Sequence, residues 1–196
     1  EIYRQEGGKW TLSMPEWIDP KDVPGMMREH ACLVLPSLWE PWGVVVAEAK
    51  AAAERLEIHL EVFDFSAEWK REILQYVSET YLGGKTPNPC VRCNETVKFG
   101  LLPQAAFELG CEQFATGHYA RIVEKDGRFA VQRALDESKD QSYFLYRLSQ
   151  EQLKATHFPL GALTKREVRE IAKAHGLIAA DHPNSMDFYP GDKNEL

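Results

Sequence analysis

The sequence has few cysteines and no long apolar run. Four of its 196 residues are cysteine, irregularly spaced, which is too few for a disulfide scaffold, so we expect a reducing, cytoplasmic setting. The densest apolar stretch, VVVAEAKAAA (44–53), is interrupted by charges, so a membrane span is not predicted. A basic-then-apolar leader is also lacking, which predicts a protein that is not secreted.

Positive charge is scarce as well, but the shortage is uneven. The formal net charge is −7, with 23 Lys and Arg against 30 Asp and Glu. Residues 85–176 nevertheless hold 14 basic and 11 acidic side chains. The chain as a whole therefore disfavours a nucleic-acid partner, whereas this part of it permits a phosphate-bearing one.

The apolar pattern predicts an α/β fold that contains a parallel sheet. ACLVLP (31–36) is typical of a short buried strand, VVVAEAKAAAERL (44–56) of a helix, and IHLEVFDF (58–65) of a second strand with alternating faces. Strand, loop, helix and strand in this order are typical of parallel pairing.

Turn and capping motifs predict where helices and strands begin and end in the rest of the chain. Ser66 is predicted to cap a helix that Gly83-Gly84 ends, and Asp126-Gly127 predicts a β-hairpin turn. Thr164 and Glu167 form a capping-box pattern before the clearest helix. The other predicted elements are a helix at 103–110, a strand at 113–120, helices over SKDQSYFLYRL and SQEQLKA, and a helix at 165–175.

Two cysteines lie three positions apart in TPNPCVRCNETVKFG (86–100). A C-x-x-C pair where a helix begins favours a thiolate, because helix amides and nearby cations such as Arg92 and Lys98 lower the pKa of a thiol. Cys93 is therefore predicted to be the better nucleophile of the pair.

The same cysteines permit other uses, and local chemistry does not choose among them. Cys90, Cys93 and Cys111 together supply three thiolates for an iron–sulfur cluster. The pair alone supplies half of a zinc site or a redox couple, and it is also compatible with two cysteines that have no chemistry.

Several blocks of the sequence, in order, resemble the tRNA 2-thiouridylase family over about residues 50–196. They are TPNPCVRCNETVKFG, LGCEQFATGHYARI, SKDQSYFLYRL, HFPLGALTKREVREIA and NSMDFYPGD. The resemblance implies an α/β, parallel-sheet domain of the adenine-nucleotide hydrolase-like class, which is PP-loop ATPase-like or Rossmann-like. It also implies that ATP, with Mg²⁺, adenylates the 2-carbonyl oxygen of the wobble uridine, and that a cysteine persulfide supplies the replacing sulfur.

The resemblance also implies partners and roles. The expected partners are tRNA and a sulfur-donor protein. Cys93 matches the catalytic cysteine of the family, and Cys90 is its sulfur partner or a cluster ligand. Gly117 and His118 lie at the carboxyl end of the predicted strand, at the edge where open α/β sheets bind ligands. The implied nucleotide- and tRNA-binding residues are Gly117, His118, Lys139, Asp140, Gln141 and Ser142.

The sequence departs from the family in two places. The family has a phosphate-binding loop of the type SGGVDSS after a strand, whereas this chain has only EGGKW (6–10) and LGGKT (82–86). Tyr189 also stands where the family carries a second sulfur-handling cysteine. These departures predict an incomplete domain in which Cys90, Cys111 or a cluster replaces the missing thiol.

Residues 1–50 carry a second resemblance. LPSLWEPWGVVVAEA (35–49) resembles the donor domain of retaining GT-B glycosyltransferases, whose paired glutamates contact the nucleotide-sugar and match Glu40 and Glu48. We therefore expect a glycosyltransferase-like strand–loop–helix segment at 1–50 and a thiouridylase-like α/β domain at 51–196. Joining such parts leaves a sheet edge unpaired, which predicts a homodimer.

The predicted function is ATP-dependent 2-thiolation of the tRNA wobble uridine. Two alternatives stay open. One is a glycosyltransferase remnant that binds a nucleotide-sugar, and the other is a metal- or RNA-binding remnant without catalysis.

Overall fold

The computed structural model describes residues 3–6, 9–12, 32–34 and 50–177. The predictions that concern Glu40, Glu48 and Tyr189 lie outside these residues. The same holds for the first part of the helix predicted at 44–56.

The described strands form four two-stranded pairs, two parallel and two antiparallel. β3 and β4 are parallel, as are β5 and β8, and the chain between β3 and β4 includes helix α1 at residues 50–56. This confirms the predicted parallel pairing, although β4 is shorter than the strand predicted at 58–65. The strands are β1 (Tyr3–Glu6), β2 (Lys9–Leu12), β3 (Cys32–Val34), β4 (His59–Glu61), β5 (Phe114–Ala115), β6 (Ala120–Lys125), β7 (Arg128–Arg133) and β8 (Thr156–His157).

The predicted hairpin is confirmed. β6 and β7 pair antiparallel, with Lys125 opposite Arg128. Asp126 and Gly127 both have positive φ angles, of 53° and 71°. Two such residues form the turn whose twist matches that of the flanking strands, which is why Asp-Gly is favoured there.

Helix α2 covers residues 66–82, as Ser66–Trp69, a wider π-helical stretch Lys70–Gln75, and Tyr76–Leu82. The prediction that Ser66 caps it is wrong. Asp64 supplies the local acceptor instead, since its Oδ1 accepts a hydrogen bond from the Ser66 amide at 2.9 Å. The predicted end at Gly83-Gly84 is confirmed, with Gly84 at a φ of +70°.

The cysteine segment is helical and is not the loop that the sequence predicts. Helix α3 covers residues 89–108, as Pro89–Cys93, a π-helical Asn94–Leu101, and Leu102–Glu108. Pro103 therefore lies within the helix rather than at its start. The carbonyl of Phe99, four residues before Pro103, accepts a hydrogen bond from Gln152 Nε2 at 2.8 Å. A side chain thus satisfies a carbonyl that a proline leaves without its usual α-helical donor.

Between β7 and the end of the described chain, short helices predominate. The helix predicted over SKDQSYFLYRL is instead two 3₁₀ segments, Glu137–Lys139 and Ser142–Leu145. Helix α4 (Gln150–Lys154) and helix α5 (Lys165–Ala174) are confirmed, and both begin with a capping box. No helix in the described ranges is long and apolar enough to cross a membrane.

A third 3₁₀ segment, Pro159–Ala162, packs tightly against β6. A Cβ atom on Gly161 would lie 1.8 Å from the Ala120 carbonyl oxygen. Only glycine permits this approach, which fixes the segment before α5 onto the start of the hairpin.

Two apolar clusters hold these elements together. The smaller one, which lies between α2 and α3, consists of buried Ile73, Cys93 and Val97. The larger cluster joins α3, β5, the hairpin, the Ser142–Leu145 segment and α4. Its buried members are Phe99, Leu102, Phe114, Ala120, Leu145, Leu148 and Leu153. Phe99 and Val97 belong to the same helix, so α3 connects the two clusters.

Candidate functional site

The first turn of α3 presents Cys90 to solvent. Asn88 caps the helix by accepting a hydrogen bond from the Val91 amide at 3.1 Å, and Pro89 occupies the first helical position. The hydroxyl of Tyr76 in α2 accepts a hydrogen bond from the Asn88 amide at 3.2 Å, which fixes the cap. Cys90 is exposed and free.

Cys93 lies one turn further along and points into the smaller cluster. It is 7% exposed and packs with Ile73 and Val97. Burial raises the pKa of the Cys93 thiol to about 11, although the positive charge of Lys98 acts in the opposite direction. The prediction of a lowered pKa for Cys93 is therefore wrong, because desolvation of the thiolate outweighs the nearby cation.

Cys90, Cys93 and Cys111 differ in their exposure. Cys90 is exposed, Cys93 is buried and Cys111 is half-buried after the end of α3. No group of three or more His, Cys, Asp or Glu side chains in the described part of the chain is arranged to hold a metal ion. The structure thus gives no support to an iron–sulfur site formed by Cys90, Cys93 and Cys111, and that site stays a prediction.

His118 follows β5, at the carboxyl end of that strand. It is 9% exposed, and its ring packs against those of Phe99 and Phe158, with centroids 5.3 and 6.0 Å away. Thr116 Oγ1 is 2.8 Å from His118 Nδ1. Burial, assisted by the charge of Lys98, lowers the pKa of His118 to about 4, so the imidazole is neutral at pH 7.

Lys98 connects the cysteine helix with the histidine. Its charge affects the ionisation of both Cys93 and His118, so both groups lie within range of one ammonium. Sequence analysis treats Lys98 only as a nearby cation. Its relation to His118 becomes visible in the fold, where the neighbouring Phe99 packs against Phe114 of β5 and against His118.

The segment 139–142 is fixed by hydrogen bonds next to His118. The Gln141 amide donates to the Tyr119 carbonyl at 2.8 Å, and the Gln141 side-chain oxygen accepts from the Tyr119 amide at 2.9 Å. Asp140 accepts hydrogen bonds from the Ala134 amide at 2.8 Å and from Ser142 Oγ at 2.7 Å. Burial opposes ionisation of Asp140, but these hydrogen bonds outweigh it, and the pKa of Asp140 is lowered.

The structure thus places three of the predicted residues, Asp140, Gln141 and Ser142, in supporting contacts. Their polar atoms mainly hold the chain in place. Lys139 ends the first 3₁₀ segment and is half-buried. A Cβ atom on Gly117 would make only an ordinary 3.7 Å contact with Leu160, so this position imposes no steric demand for glycine.

Asn94 joins the cysteine helix to the Ser142–Leu145 segment. It is 4% exposed, and its Nδ2 donates to the Phe144 carbonyl at 3.1 Å. Its Oδ1 is buried without a hydrogen-bond partner among the described residues. Sequence analysis missed Asn94 because its role depends on a contact 50 residues away.

An ion-pair network surrounds the outer side of the same helix. Arg92 contacts Glu72 at 2.6 Å and Glu95 at 3.4 Å, and Arg147 contacts Glu95 at 2.9 Å. The network connects α2, α3 and the chain that leads into α4. It occupies the guanidinium that the sequence would assign to activating Cys93.

The described glycine pair, Gly83-Gly84, does not lie where an ATP phosphate loop is expected. A phosphate cradle needs backbone amides between a strand and the start of a helix, whereas Gly83-Gly84 ends α2. Gly7 and Gly8 of EGGKW lie outside the described residues. Gly83-Gly84 therefore does not supply a loop for the triphosphate of ATP.

Comparison with known proteins identifies the family. The model of the tRNA methyl transferase HUP domain matches residues 40–189. A tRNA-specific 2-thiouridylase MnmA of Endomicrobium trichonymphae is 46% identical over 200 residues, covering 100% of this chain and 54% of the relative. The proteins of the same name from Carboxydothermus hydrogenoformans and Chloroflexus aurantiacus are 44% and 48% identical, covering 92% and 76% of this chain and 54% and 44% of the relatives.

The chain spans about half the length of the curated relatives that it matches. The HUP match confirms the predicted α/β, PP-loop ATPase-like class, and it includes the cysteine helix, His118 and residues 139–142. The glycosyltransferase-like segment and the boundary near residue 50 stay predictions. By the extent of this match, the chain belongs to the tRNA-specific 2-thiouridylase family, of which it carries the HUP domain.

Proposed function

We propose that this domain takes part in 2-thiolation of the tRNA wobble uridine and that Cys90 and Cys93 handle the sulfur. The observation that carries the proposal is the match to 2-thiouridylases, which includes the cysteine helix, His118 and residues 139–142. The structure supports it by packing the cysteine helix against the Ser142–Leu145 segment through Asn94, and against His118 through Phe99.

The difference in burial favours different roles for the thiols of Cys90 and Cys93. Cys90 is exposed in the first turn of α3, whereas Cys93 lies beneath it. Residues three apart on a helix have Cβ atoms roughly 5–6 Å apart. This exceeds the roughly 3.5–4.5 Å of a disulfide, so a bond between Cys90 and Cys93 requires the first turn of α3 to shift. Cys90 therefore accepts sulfur from an external donor protein, and Cys93 acts afterwards on Cys90.

Sulfur passes from the donor to the uridine through Cys90. The Cys90 thiolate takes the outer sulfur of a donor persulfide, and the donor leaves as a thiol. The new persulfide attacks C2 of an activated uridine, the C2–O bond breaks and the activating group leaves with the oxygen. The Cys93 thiol then attacks the Cys90 sulfur and its proton passes to the leaving thiouridine, which releases 2-thiouridine and forms a Cys90–Cys93 disulfide. A low-molecular-weight thiol reduces the disulfide for the next cycle.

Activation of the oxygen is assigned to ATP by the family alone. ATP enters as a consumed substrate that converts a poor leaving group into a good one. Because Gly83-Gly84 ends a helix and the other glycine pair lies outside the described residues, no residue of this chain is assigned to that step. ATP binding is therefore measured separately, by titrating the full chain with and without tRNA.

His118 and Lys139 complete the proposed site. A neutral His118, held at Nδ1 by Thr116, offers Nε2 for hydrogen bonding to a uracil without bringing a charge into an apolar setting. Lys139 precedes the fixed residues Asp140 and Gln141 and supplies positive charge for a tRNA phosphate. Asp140 and Gln141 position the chain and do not bind substrate directly.

The test of the proposed function uses tRNA, ATP and a persulfide donor, with product detected as 2-thiouridine by mass spectrometry. Wild-type chain should form product, and Cys90→Ser should neither carry a persulfide nor form product. Cys111→Ser is the matched control and should behave as wild type, because Cys111 lies beyond the far end of α3. Equal product from wild type and Cys90→Ser would refute the assignment.

A further inference from the structure

Residues 142–148 expose two tyrosines and bury two leucines at a spacing of three. Ser142–Leu145 is a 3₁₀ helix with three residues per turn, and the Leu148 amide continues the turn by donating to the Leu145 carbonyl at 3.1 Å, so positions three apart lie on the same side. Leu145 and Leu148 are 1% and 8% exposed and belong to the larger core cluster. Tyr143 and Tyr146 are each 65% exposed. The packing of the leucines therefore forces the tyrosines outward together.

Tyr143 and Tyr146, called here the tyrosine pair, form one aromatic surface. Their ring centroids are 6.1 Å apart and their planes are tilted by 41°. The Tyr143 ring is supported by an edge contact with Phe144, whose centroid is 5.4 Å away. Exposed aromatic rings next to each other contribute nothing to the core, so the fold gives no reason for them.

A cavity of about 520 Å³ opens beside the tyrosine pair, between it and β7. Its volume lies within the roughly 300–1,000 Å³ range of small-molecule sites. Phe129 and Leu145 supply apolar walls, and Asp140 and Ser142 supply polar ones. Arg133 is exposed at the wall and lies close enough to affect Asp140.

The chemistry of this surface fits a nucleotide. A nucleobase offers a flat apolar face to tyrosine rings, and its phosphate offers a negative charge to Arg133. The ionised Asp140 carboxylate also lines this wall and repels a phosphate, so the phosphate is expected at the exposed Arg133, on the side away from Asp140. The cavity also adjoins residues 139–142, so it is continuous with the site described above.

We propose that the tyrosine pair is a stacking platform for one unpaired base of an RNA, with Arg133 on the adjacent phosphate. The proposal rests on the proposed function, because that function brings an anticodon loop to the neighbouring site. The stacking proposal adds which surface of the protein holds a base of that loop. Since stacking needs a free base face, the platform recognises single-stranded RNA and not a duplex.

The experiment measures binding of a fluorescently labelled, unmodified RNA hairpin with an anticodon loop, and of a fully paired RNA of equal length. The variants are Tyr143→Ala, Tyr146→Ala and Tyr143→Phe in the full chain. Tyr81→Ala is the matched control, since Tyr81 is 63% exposed at the end of α2. Far-UV circular dichroism checks that each variant is folded, which the exposure of these side chains favours.

Each alanine variant should bind the hairpin about 5- to 150-fold more weakly, the range for loss of one stacked base. Tyr143→Phe should bind as wild type because it keeps the ring, and Tyr81→Ala should be unchanged. An abasic residue in the loop should remove the effect of the alanine variants. Affinities of Tyr143→Ala and Tyr146→Ala equal to wild type would overturn the platform. Equal losses for the paired RNA, or no RNA binding by wild type, would overturn it too.

Failure of the platform differs from failure of the proposed function. Product formation by a Tyr143→Ala variant of unchanged RNA affinity would end the platform and leave thiolation in place. Tyrosine-dependent RNA binding without any 2-thiouridine would do the reverse. Competition by ATP that depends on the tyrosine pair would show a nucleotide site for ATP and would also overturn the RNA assignment.

Discussion

Acidification should destabilise this protein through His118. The pKa of His118 is lowered from 6.5 to about 4 in the folded chain. Between these values the unfolded state binds more protons, so stability is full above pH 6.5 and falls as the pH drops toward 4. One pKa unit corresponds to about 1.4 kcal/mol, so the total loss is about 3 kcal/mol.

The assay is urea unfolding of wild type and His118→Gln at a series of pH values from about 7.5 to about 4.5. This range covers most of the interval between the pKa values of His118 in the unfolded and folded states. Asp140 and His157 also have lowered pKa values and contribute to the wild-type curve. The informative quantity is therefore the difference between the two proteins.

His118→Gln should lose about 2–3 kcal/mol less than wild type over this range. Parallel curves for wild type and His118→Gln would refute the view that His118 is held neutral by burial.

Three further predictions concern the cysteines, the packing of Gly161 and the oligomeric state. Iodoacetamide should modify Cys90 rapidly in the native protein. It should modify Cys93 only after unfolding or at a pH near 11, since burial raises the pKa of Cys93. Peptide mass spectrometry of native samples labelled at about pH 8 measures this, and equal labelling of the two cysteines would contradict it. Gly161→Ala should cost at least about 1–3 kcal/mol of unfolding free energy because its Cβ would overlap the Ala120 carbonyl, whereas Gly117→Ala should be nearly neutral; equal effects would mean that Pro159–Ala162 moves freely from β6. Sedimentation analysis should show a concentration-dependent dimer if the unpaired sheet edge associates, and a monomer at all concentrations would remove that prediction.

Local signals in the sequence were sufficient where one short motif decides the structure. Asp126-Gly127 fixes its own turn by positive φ angles, and Thr164 with Glu167 closes its capping box within one helical turn. Gly83-Gly84 likewise ends α2 because a glycine adopts the left-handed conformation without strain. In each case the deciding contacts span only a few residues.

Long-range contacts explain the failures. The helix that begins at Pro89 passes through Pro103, which the sequence treats as a helix start, and a side chain from α4 supplies the missing donor. The Ser142–Leu145 segment is a 3₁₀ helix although its sequence predicts an α-helix. Leu145 and Leu148 are three positions apart, a spacing that α-helices also use, so the sequence alone does not distinguish the two conformations.

For the candidate site too, the sequence identifies the residues but not their long-range contacts. Motifs identify the family and the residues Cys90, Cys93 and His118, but they do not reveal which thiol is buried. The ionisation of Cys93 depends on Ile73 in another helix, and the anchoring of Asn94 depends on the Phe144 carbonyl. A thiol pKa is set by desolvation in three dimensions, so a cation nearby in sequence is a poor guide to it.

The account depends on Cys90 carrying the sulfur and Cys93 releasing it, and one trapping measurement tests this directly. Cys93→Ser is incubated with an anticodon RNA hairpin, ATP and a persulfide donor in the absence of reductant, and the products are separated by denaturing electrophoresis. We expect a covalent protein–RNA adduct through Cys90 that dithiothreitol converts into free 2-thiouridine RNA. Free product from Cys93→Ser at the wild-type rate without any adduct, or an adduct that persists in Cys90→Ser, would contradict the account.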